Sequence, residues 1–305
     1  MISIIKTLKF ILNHPLNRAN RVVALKRFIR WQIGSRLLGW DILVPFVDST
    51  FLLTRPGLTG ATGNIYVGLH EFVDMAFLLH VLRKDDLFVD VGANIGSYTI
   101  LAAGAVGAEG IAVEPIKTTF RILEENINLN GLPGHVRALN IGIGKDAGVL
   151  KFTTGLDTVN HAVSDAEQIA DTVEIGGITE VPICSLNDLL ESQEPILIKI
   201  DVEGFETNVI AGADRVLSRT SLLAVIMELN GSGDRYGFNE LELHRRMLSY
   251  GFKTYTYYPF DRQLVSLEGE ANNSGNTLYV RNIDEVARRL KGAQQYWIVN
   301  AARAV

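Results

Sequence analysis

An α/β fold, with a mostly parallel sheet and helices on its faces, is predicted by three features of the sequence. From about residue 87 onward, short apolar β-branched runs alternate with helical segments, the pattern of parallel strands joined by crossover helices. The run Leu87-Phe-Val-Asp-Val91 leads into Gly92-Ala-Asn-Ile-Gly96 and then into good helix formers. Strand, glycine turn and helix together build a nucleotide pocket at the carboxyl end of a strand. Ile196 to Val202 is nearly all apolar, as a strand covered on both faces must be.

Length and charge set the outer bounds. A chain of 305 residues holds one large domain or one domain with an extension. The division expected is a basic helical extension and capping segment over 1–65, the main domain over 66–290 and a tail over 291–305. The single cysteine, Cys184, excludes an intrachain disulfide and fits a reducing, cytoplasmic setting. A net charge of −5 gives no general affinity for nucleic acid. The charge is unevenly spread, however: residues 1–40 hold eight basic side chains and no acid. Such asymmetry marks an acidic partner or a membrane surface.

No uninterrupted apolar core followed by a small-residue cleavage site is found near the amino terminus, so no secretory signal is expected. No uncharged apolar run reaches 18 residues, so no transmembrane helix is expected either. Val22, Val23, Leu25, Phe28, Ile29 and Ile33 recur at helical spacing among Arg21, Lys26, Arg27 and Arg30. The primary expectation is a helical extension packed on the core or in a homodimer, with peripheral contact at the inner face of a membrane as the second reading.

Taken in order, Ile42-Leu-Val-Pro-Phe-Val47, Phe51-Leu-Leu53 and Asn64-Ile-Tyr-Val67 predict short strands or loops capping the sheet. Glu71 to Leu82 predicts a helix with Phe72, Met75, Leu78, Leu79 and Leu82 on one face. After the first strand and the helix from Tyr98 to Ala103, Gly110 to Val113 is the second strand, ending in Glu114-Pro115. A helix over Ile116–Leu129 stops at Asn130-Gly131, and Val136 to Ile143 is the third strand. Alternating runs within 150–181, such as Leu150–Thr153 and Thr172–Ile175, predict a β-hairpin insertion. Leu186–Leu190 and Glu206–Leu217 are helices around the fourth strand, Ile196–Val202. Leu222–Leu229 is the fifth strand and Leu241–Tyr250 a helix. Lys253–Tyr258 and Thr277–Val280 are spaced for two adjacent strands, at least one antiparallel, with Glu268–Asn276 as a loop.

The glycine spacing selects the ligand. A dinucleotide turn reads G-x-G-x-x-G, its glycines admitting a pyrophosphate to the helix amino terminus. Here the pattern is Asp90-x-Gly92-x-x-x-Gly96, with Asn94 at the middle glycine. A pocket without that backbone access suits a ligand lacking pyrophosphate, and S-adenosylmethionine is one. Its ammonium needs acceptors such as Asp90 or a turn carbonyl, and its carboxylate can take amides near Asn94. Glu114 ends the second strand, where an acid can accept both ribose hydroxyls. An NAD(P)-binding oxidoreductase on the same fold is the alternative, and so is a non-catalytic S-adenosylmethionine-binding subunit.

Asp90-Val-Gly-Ala-Asn-Ile-Gly96, Val113-Glu-Pro115, Asn126 with Asn130-Gly131, and above all Leu197-Ile-Lys-Ile-Asp-Val-Glu-Gly-Phe-Glu206 resemble the FkbM family of S-adenosylmethionine-dependent methyltransferases. The resemblance covers about residues 70–280. It implies a class I methyltransferase fold, Rossmann-like, with a seven-stranded sheet whose last strand is antiparallel. It also implies O-methylation of hydroxyls on sugars, polysaccharides, glycolipids or similar natural products, mainly in bacteria.

On the acceptor side, alternation along the fourth strand puts Lys199, Asp201 and Glu203 together. Either an internal Lys199–carboxylate pair fixes the loop, or Asp201 or Glu203 faces the acceptor and takes its proton. His161, in the insertion over the pocket, is a further candidate base, and His70 a candidate lid. Asn140 or Ile141, after the third strand, is expected to border the adenine. Asp201, Glu228 and Asn230 resemble the acid, acid and amide set of metal-dependent O-methyltransferases, so Mg²⁺ is possible but not favoured. Tyr255, Tyr257, Tyr258 and Phe260 read either as a sugar-binding wall or as sheet packing.

Overall fold

The computed structural model describes residues 2–38, 40–55, 58–154, 160–163, 177–272 and 275–305. The chain enters through helices α1 (Ile2–Asn13) and α2 (Arg21–Leu38) and an antiparallel ribbon of β1 (Ile42–Pro45) and β2 (Phe51–Thr54). Helices α3 (Thr59–Val67) and α4 (Phe72–Val81) precede β3 (Leu87–Val91). Helix α5 (Ser97–Ile100), continued by a π-turn over Leu101–Val106, leads to β4 (Glu109–Val113), α6 (Lys117–Leu129) and β5 (Val136–Leu139). Strands β6 (Gly142–Ile143), β7 (Gly148–Thr153) and β8 (Ile178–Cys184) form a separate small sheet.

Helix α7 (Leu186–Leu190) then feeds β9 (Pro195–Ile200), and α8 (Glu206–Ala211) with α9 (Asp214–Leu217) feeds β10 (Ala224–Glu228). Helix α10 (Glu240–Ser249), β11 (Lys253–Tyr258), β12 (Gln263–Ser266), β13 (Asn276–Val280) and α11 (Ile283–Lys291) follow. A closing hairpin joins β14 (Trp297–Ile298) to β15 (Arg303–Ala304). Tyr296, Ile298 and Val305 of this end are buried in the main core. No helix among the described residues is long and apolar enough to cross a membrane.

The main sheet runs β12-β11-β13-β10-β9-β3-β4-β5. The five strands from β10 to β5 are parallel, and β13 lies antiparallel between β10 and β11. This is the class I methyltransferase sheet with one strand more than the seven expected. The eighth, β12, is a hairpin return along β11 after a turn in which Arg262 is left-handed. Side-chain alternation on the central strands fills both faces. Phe88 and Leu197 pack toward α4 and the π-turn, while Val89, Val91, Ile198 and Ile200 pack toward α8, α9 and α10. The chain leaves β3 in one direction for β4 and β5, then returns on the other side of β3 as β9. Ligands of open α/β sheets bind at such a reversal, beyond the carboxyl ends of the strands.

Several sequence expectations are corrected by the packing. Asn64–Val67 is the end of a helix, not a strand. Ile65, Tyr66 and Val67 are all buried against α1 and α2, so tertiary burial overrides the β-propensity of a four-residue apolar run. The third strand ends at Leu139, because Asn140 Nδ2 donates to the carbonyls of Glu114 and Pro115 at 2.8 Å each and turns the chain. Gly142-Ile143 then pairs with β8 in the small sheet. The hairpin insertion is formed by β7 and β8, whereas Thr172–Ile175 lies outside the described residues. The helix over Glu206–Leu217 is broken at Gly212. A Cβ there would stand 2.4 Å from the Gly144 carbonyl, so the bare backbone admits the passing loop.

Candidate active site

Strands β3, β4, β9 and β10 end around one cavity of about 290 Å³, near the lower end for small-molecule sites. It is lined by Asp90, the Gly92–Ile95 turn and Glu114, and by Lys199, Asp201, Glu203 and Glu228 from the neighbouring strand ends. Asn64, His70, Glu71, Tyr98, Phe152, Asn160 and Phe205 also contribute to the lining.

The turn is shaped by the protein's own packing. Gly92 has φ +80° and a Cβ on it would sit 1.9 Å from the Asp201 carbonyl oxygen, because β3 and β9 end pressed together. Gly96, at φ +92°, faces Leu123 of α6 at 2.6 Å from the same kind of added atom. From α6, Asn126 donates to the Ile95 carbonyl at 2.9 Å and accepts from the Leu53 amide, tying the turn to the β1–β2 ribbon. Gly92→Ala therefore needs both a left-handed alanine and a displaced strand end. It should cost about 2–4 kcal/mol, read by thermal unfolding beside Gly131→Ala, a left-handed glycine with open space around it. Equal losses for the two would refute the contact-based reading.

Two carboxylates face the cavity from the turn side. Asp90 is buried and accepts a 2.7 Å hydrogen bond from the Thr99 hydroxyl. Burial raises its pKa to about 6 against the opposing pull of Lys199 and Thr99. Glu114 accepts the Ile116 amide on Oε1 at 2.8 Å and the Asn94 amide on Oε2 at 3.0 Å. Burial lifts it to about 7 despite those donors. Each Glu114 oxygen keeps a lone pair beyond the one the backbone uses, so a fixed, cavity-facing carboxylate remains able to receive a vicinal diol. The donor and acceptor groups here thus fit the ribose and ammonium of S-adenosylmethionine.

The adjacent strand end is organised by the loop after β9. Lys199 is buried, with Nζ 2.7 Å from Asp201 Oδ2 and 4.7 Å from the centroid of the Tyr98 ring. Burial disfavours its ammonium, yet Asp201, Glu71 and Asp90 more than offset this and hold Lys199 above the ordinary lysine range. Glu203 does not follow strand alternation; it is left-handed at φ +54° and is followed by Gly204 at φ +97°. Buried Glu206 Oε1 accepts the amides of Val202 and Gly204 at 3.1 and 3.3 Å, which holds this loop in shape. A side chain on Gly204 would meet the Ser232 carbonyl at 2.5 Å.

Asp201, Glu203 and Glu228 each bring a carboxylate oxygen within 4.8 Å of the others. Burial, then Asp201, push Glu203 to about 7, and burial with Asp201 and Glu203 pushes Glu228 to about 8. Carboxylates crowded in this way hold protons near neutrality. The trio is also a set of oxygen donors of the type that holds Mg²⁺, although Lys199 already neutralises Asp201.

Not every expected residue reaches the cavity. His161 is buried in the insertion, its amide and carbonyl bonded to Thr153 at 3.0 and 2.9 Å, and the lining residue is its neighbour Asn160. Asn140 is spent on the turn after β4 and Ile141 packs with the core beneath; Gly142 and Ile143 line the cavity in their place. Asn230 caps its own turn by accepting from the Ser232 amide and hydroxyl, so it does not join Asp201 and Glu228. Tyr257 is buried against His80 at 2.6 Å, and Phe260 packs on Phe72 and under Arg303. Neither lines the cavity. The aromatic lining comes instead from Tyr98, Phe152 and Phe205, the last in edge contact with Tyr236 at 5.4 Å.

Glu71, the neighbour of the candidate lid residue His70, also lines the cavity. It accepts from Tyr98 at 2.8 Å and from Asn276 of β13 at 3.0 Å. Asn276 also donates to buried Asp74 at 3.1 Å, an acid that burial and Glu71 raise to about 7.

Residues 90–254 match the methyltransferase FkbM domain. Hexuronic acid methyltransferase AglP of Haloferax volcanii is 31% identical over 162 residues, covering 52% of this chain and 61% of that protein. Methyltransferase sdnD of Sordaria araneosa is 28% identical over 171 residues, covering 47% and 66%. The chain thus spans less than two thirds of the length of these curated relatives. Among solved structures, precorrin-6y C5,15-methyltransferase from Geobacter metallireducens aligns with a TM-score of 0.41 at 12% identity, over 75% of this chain and 93% of that one. Because the matched segment takes in more than half of the residues, including the turn after β3, the end of β4 and the loop after β9, the chain belongs to the FkbM methyltransferase family.

Proposed function

We propose that the protein transfers a methyl group from S-adenosylmethionine to a hydroxyl of a sugar, free or within a polysaccharide, glycolipid or similar natural product. One observation carries this reading: a single cavity gathers Asp90 and Glu114, carboxylates suited to the donor, together with the Asp201, Glu203 and Glu228 cluster. Asp90, the amides of the Gly92–Gly96 turn and Glu114 would hold the cofactor, which supplies an electrophilic methyl group when bound. Asp201 is tied to Lys199, so Glu203 is the group placed to take the hydroxyl proton, with Glu228 beside it. A base poised near 7 combines the ionised form with useful proton affinity at neutral pH. Lys199, bracketed by Asp201 and Tyr98, keeps the loop in place, and alignment of oxygen and methyl supplies much of the rate.

The relative named for hexuronic acid supports a sugar acceptor, and the Phe152 and Phe205 lining supplies apolar surface for a ring face. Membership of the family leaves the nicotinamide alternative without support. Release of S-adenosylhomocysteine should be measured over hexuronic-acid and neutral saccharides, free and lipid-linked, and the product treated with mild alkali. A methyl ether survives that treatment. An alkali-labile methyl ester would move the acceptor atom to a carboxylate, and no turnover across the panel would favour a non-catalytic binding subunit.

Metal dependence has its own expected outcome. With Lys199 already paired to Asp201, EDTA should leave turnover within about twofold. A loss beyond about tenfold that Mg²⁺ restores would assign the three carboxylates to a cation.

A further inference from the structure

Helix α2 is apolar on both of its faces. Inward, Ala24, Phe28 and Trp31 pack with Ile65, Tyr66 and Val67 of α3. Arg27 fastens the pair by donating to the Tyr66 carbonyl and to Asn17. Outward, Val22, Ile29, Ile33 and Leu37 stand in solvent along one stripe, from 53% to 80% exposed, with Lys26 filling the gap in the spacing. A helix on a protein surface ordinarily turns polar side chains that way. Helix α1 adds exposed Ile4, Ile5 and Phe10 beside Lys6 and Lys9, and Trp40 beyond α2 is 77% exposed. Arg18, Arg21, Arg30 and Arg36 are exposed around these residues, and no acid occurs before Asp41.

We propose that α1 and α2 dock on a bilayer rich in anionic lipid. Apolar side chains would enter the boundary between headgroups and acyl chains, the long basic stems would reach up to phosphates, and Trp40 would sit at the interface. Charge decides between occupants. An isologous contact with a second copy would set the same basic patch against itself, whereas an anionic surface neutralises every exposed cation. The docked face belongs to the helix that supports α3, and α3 lines the cavity through Ala61 and Asn64.

The test is flotation of the full chain with phosphatidylcholine vesicles, with and without about a third phosphatidylglycerol, at low and high salt. The chain should float with the anionic vesicles alone, and the bound fraction should fall at 1 M salt, where screening shortens to about 3 Å. The pair Lys26→Gln and Arg30→Gln should weaken partition about twenty- to thirty-fold, at roughly fivefold per charge. The triple variant Ile29→Ser, Ile33→Ser, Leu37→Ser should also lose binding while keeping the parent melting temperature, since these side chains stand in solvent. Failure to float, or equal binding to neutral and anionic vesicles, would overturn the proposal. So would self-association in sedimentation velocity that the triple variant abolishes while the parent ignores vesicles, which would make the face a contact between copies.

Discussion

Glu114→Ala should lower the affinity for S-adenosylmethionine by about 10²- to 10⁴-fold, since two hydrogen bonds from ribose hydroxyls to an ionised acid are worth roughly 1.5–3 kcal/mol each. Its carboxylate is held in place from behind by the Asn94 and Ile116 amides, so the cofactor meets a group that needs no reorganisation. Calorimetry of the variant reads the loss. Circular dichroism separates it from damage to the turn, because the substitution also strands those two amides. Glu114→Gln keeps an oxygen for one amide and should fall between the two. Parent-like affinity in a folded Glu114→Ala protein would remove the end of β4 from the cofactor site. Asp90→Ala should act in the same direction, as it deletes the buried acid that Thr99 orients.

Glu203→Gln should cut kcat by about 10²- to 10⁴-fold, the usual contribution of a positioned base, with donor affinity within a factor of about three. The pH profile distinguishes a base from a structural prop. Glu203 is raised to about 7 by burial and by Asp201, and only its ionised form accepts a proton. The parent rate should therefore be low in acid, rise through about pH 7 and level off above it. The variant should lose that inflection. If the inflection instead survives Glu203→Gln and disappears in Glu228→Gln, whose carboxyl is raised to about 8, the base is Glu228. An unchanged kcat and profile in both variants would refute an acid–base role for this pair.

The central strands were legible because burial on both faces writes itself as an unbroken apolar run. Val89, Val91, Ile198, Ile200, Ile226 and Met227 each face one core or the other. Asp90, Lys199 and Glu228 were conspicuous as charged exceptions to those runs, and the structure gathers all three at one cavity. Residues whose placement depends on a chain reversal were not legible. Asn140 and Asn230 lie one or two positions past strand ends, where the chain's next bend decides which way a side chain points; Asn140 is consumed by the turn after β4 and Asn230 by its own turn. Glu203 reaches the cavity through two consecutive left-handed residues, a conformation that Gly204 makes easier but that spacing alone does not announce. Glu71 and Asn276 touch across 205 positions, a separation at which no local pattern carries information.

The position of β13 has a consequence for what counts as a unit. The family-matched segment ends at Thr254, inside β11, yet β13 is the strand that joins β11 to β10. The last strand of the main sheet to be synthesised is thus a wedge driven into the middle of a sheet whose outer piece is made before it. Until Asn276–Val280 arrives, β10 is an open edge, β11 and β12 have nothing to hold, and Glu71 lacks its Asn276 donor. The segment that names the chemistry is shorter than the segment able to fold around it, and the cavity is completed only after the recognisable part of the chain has passed.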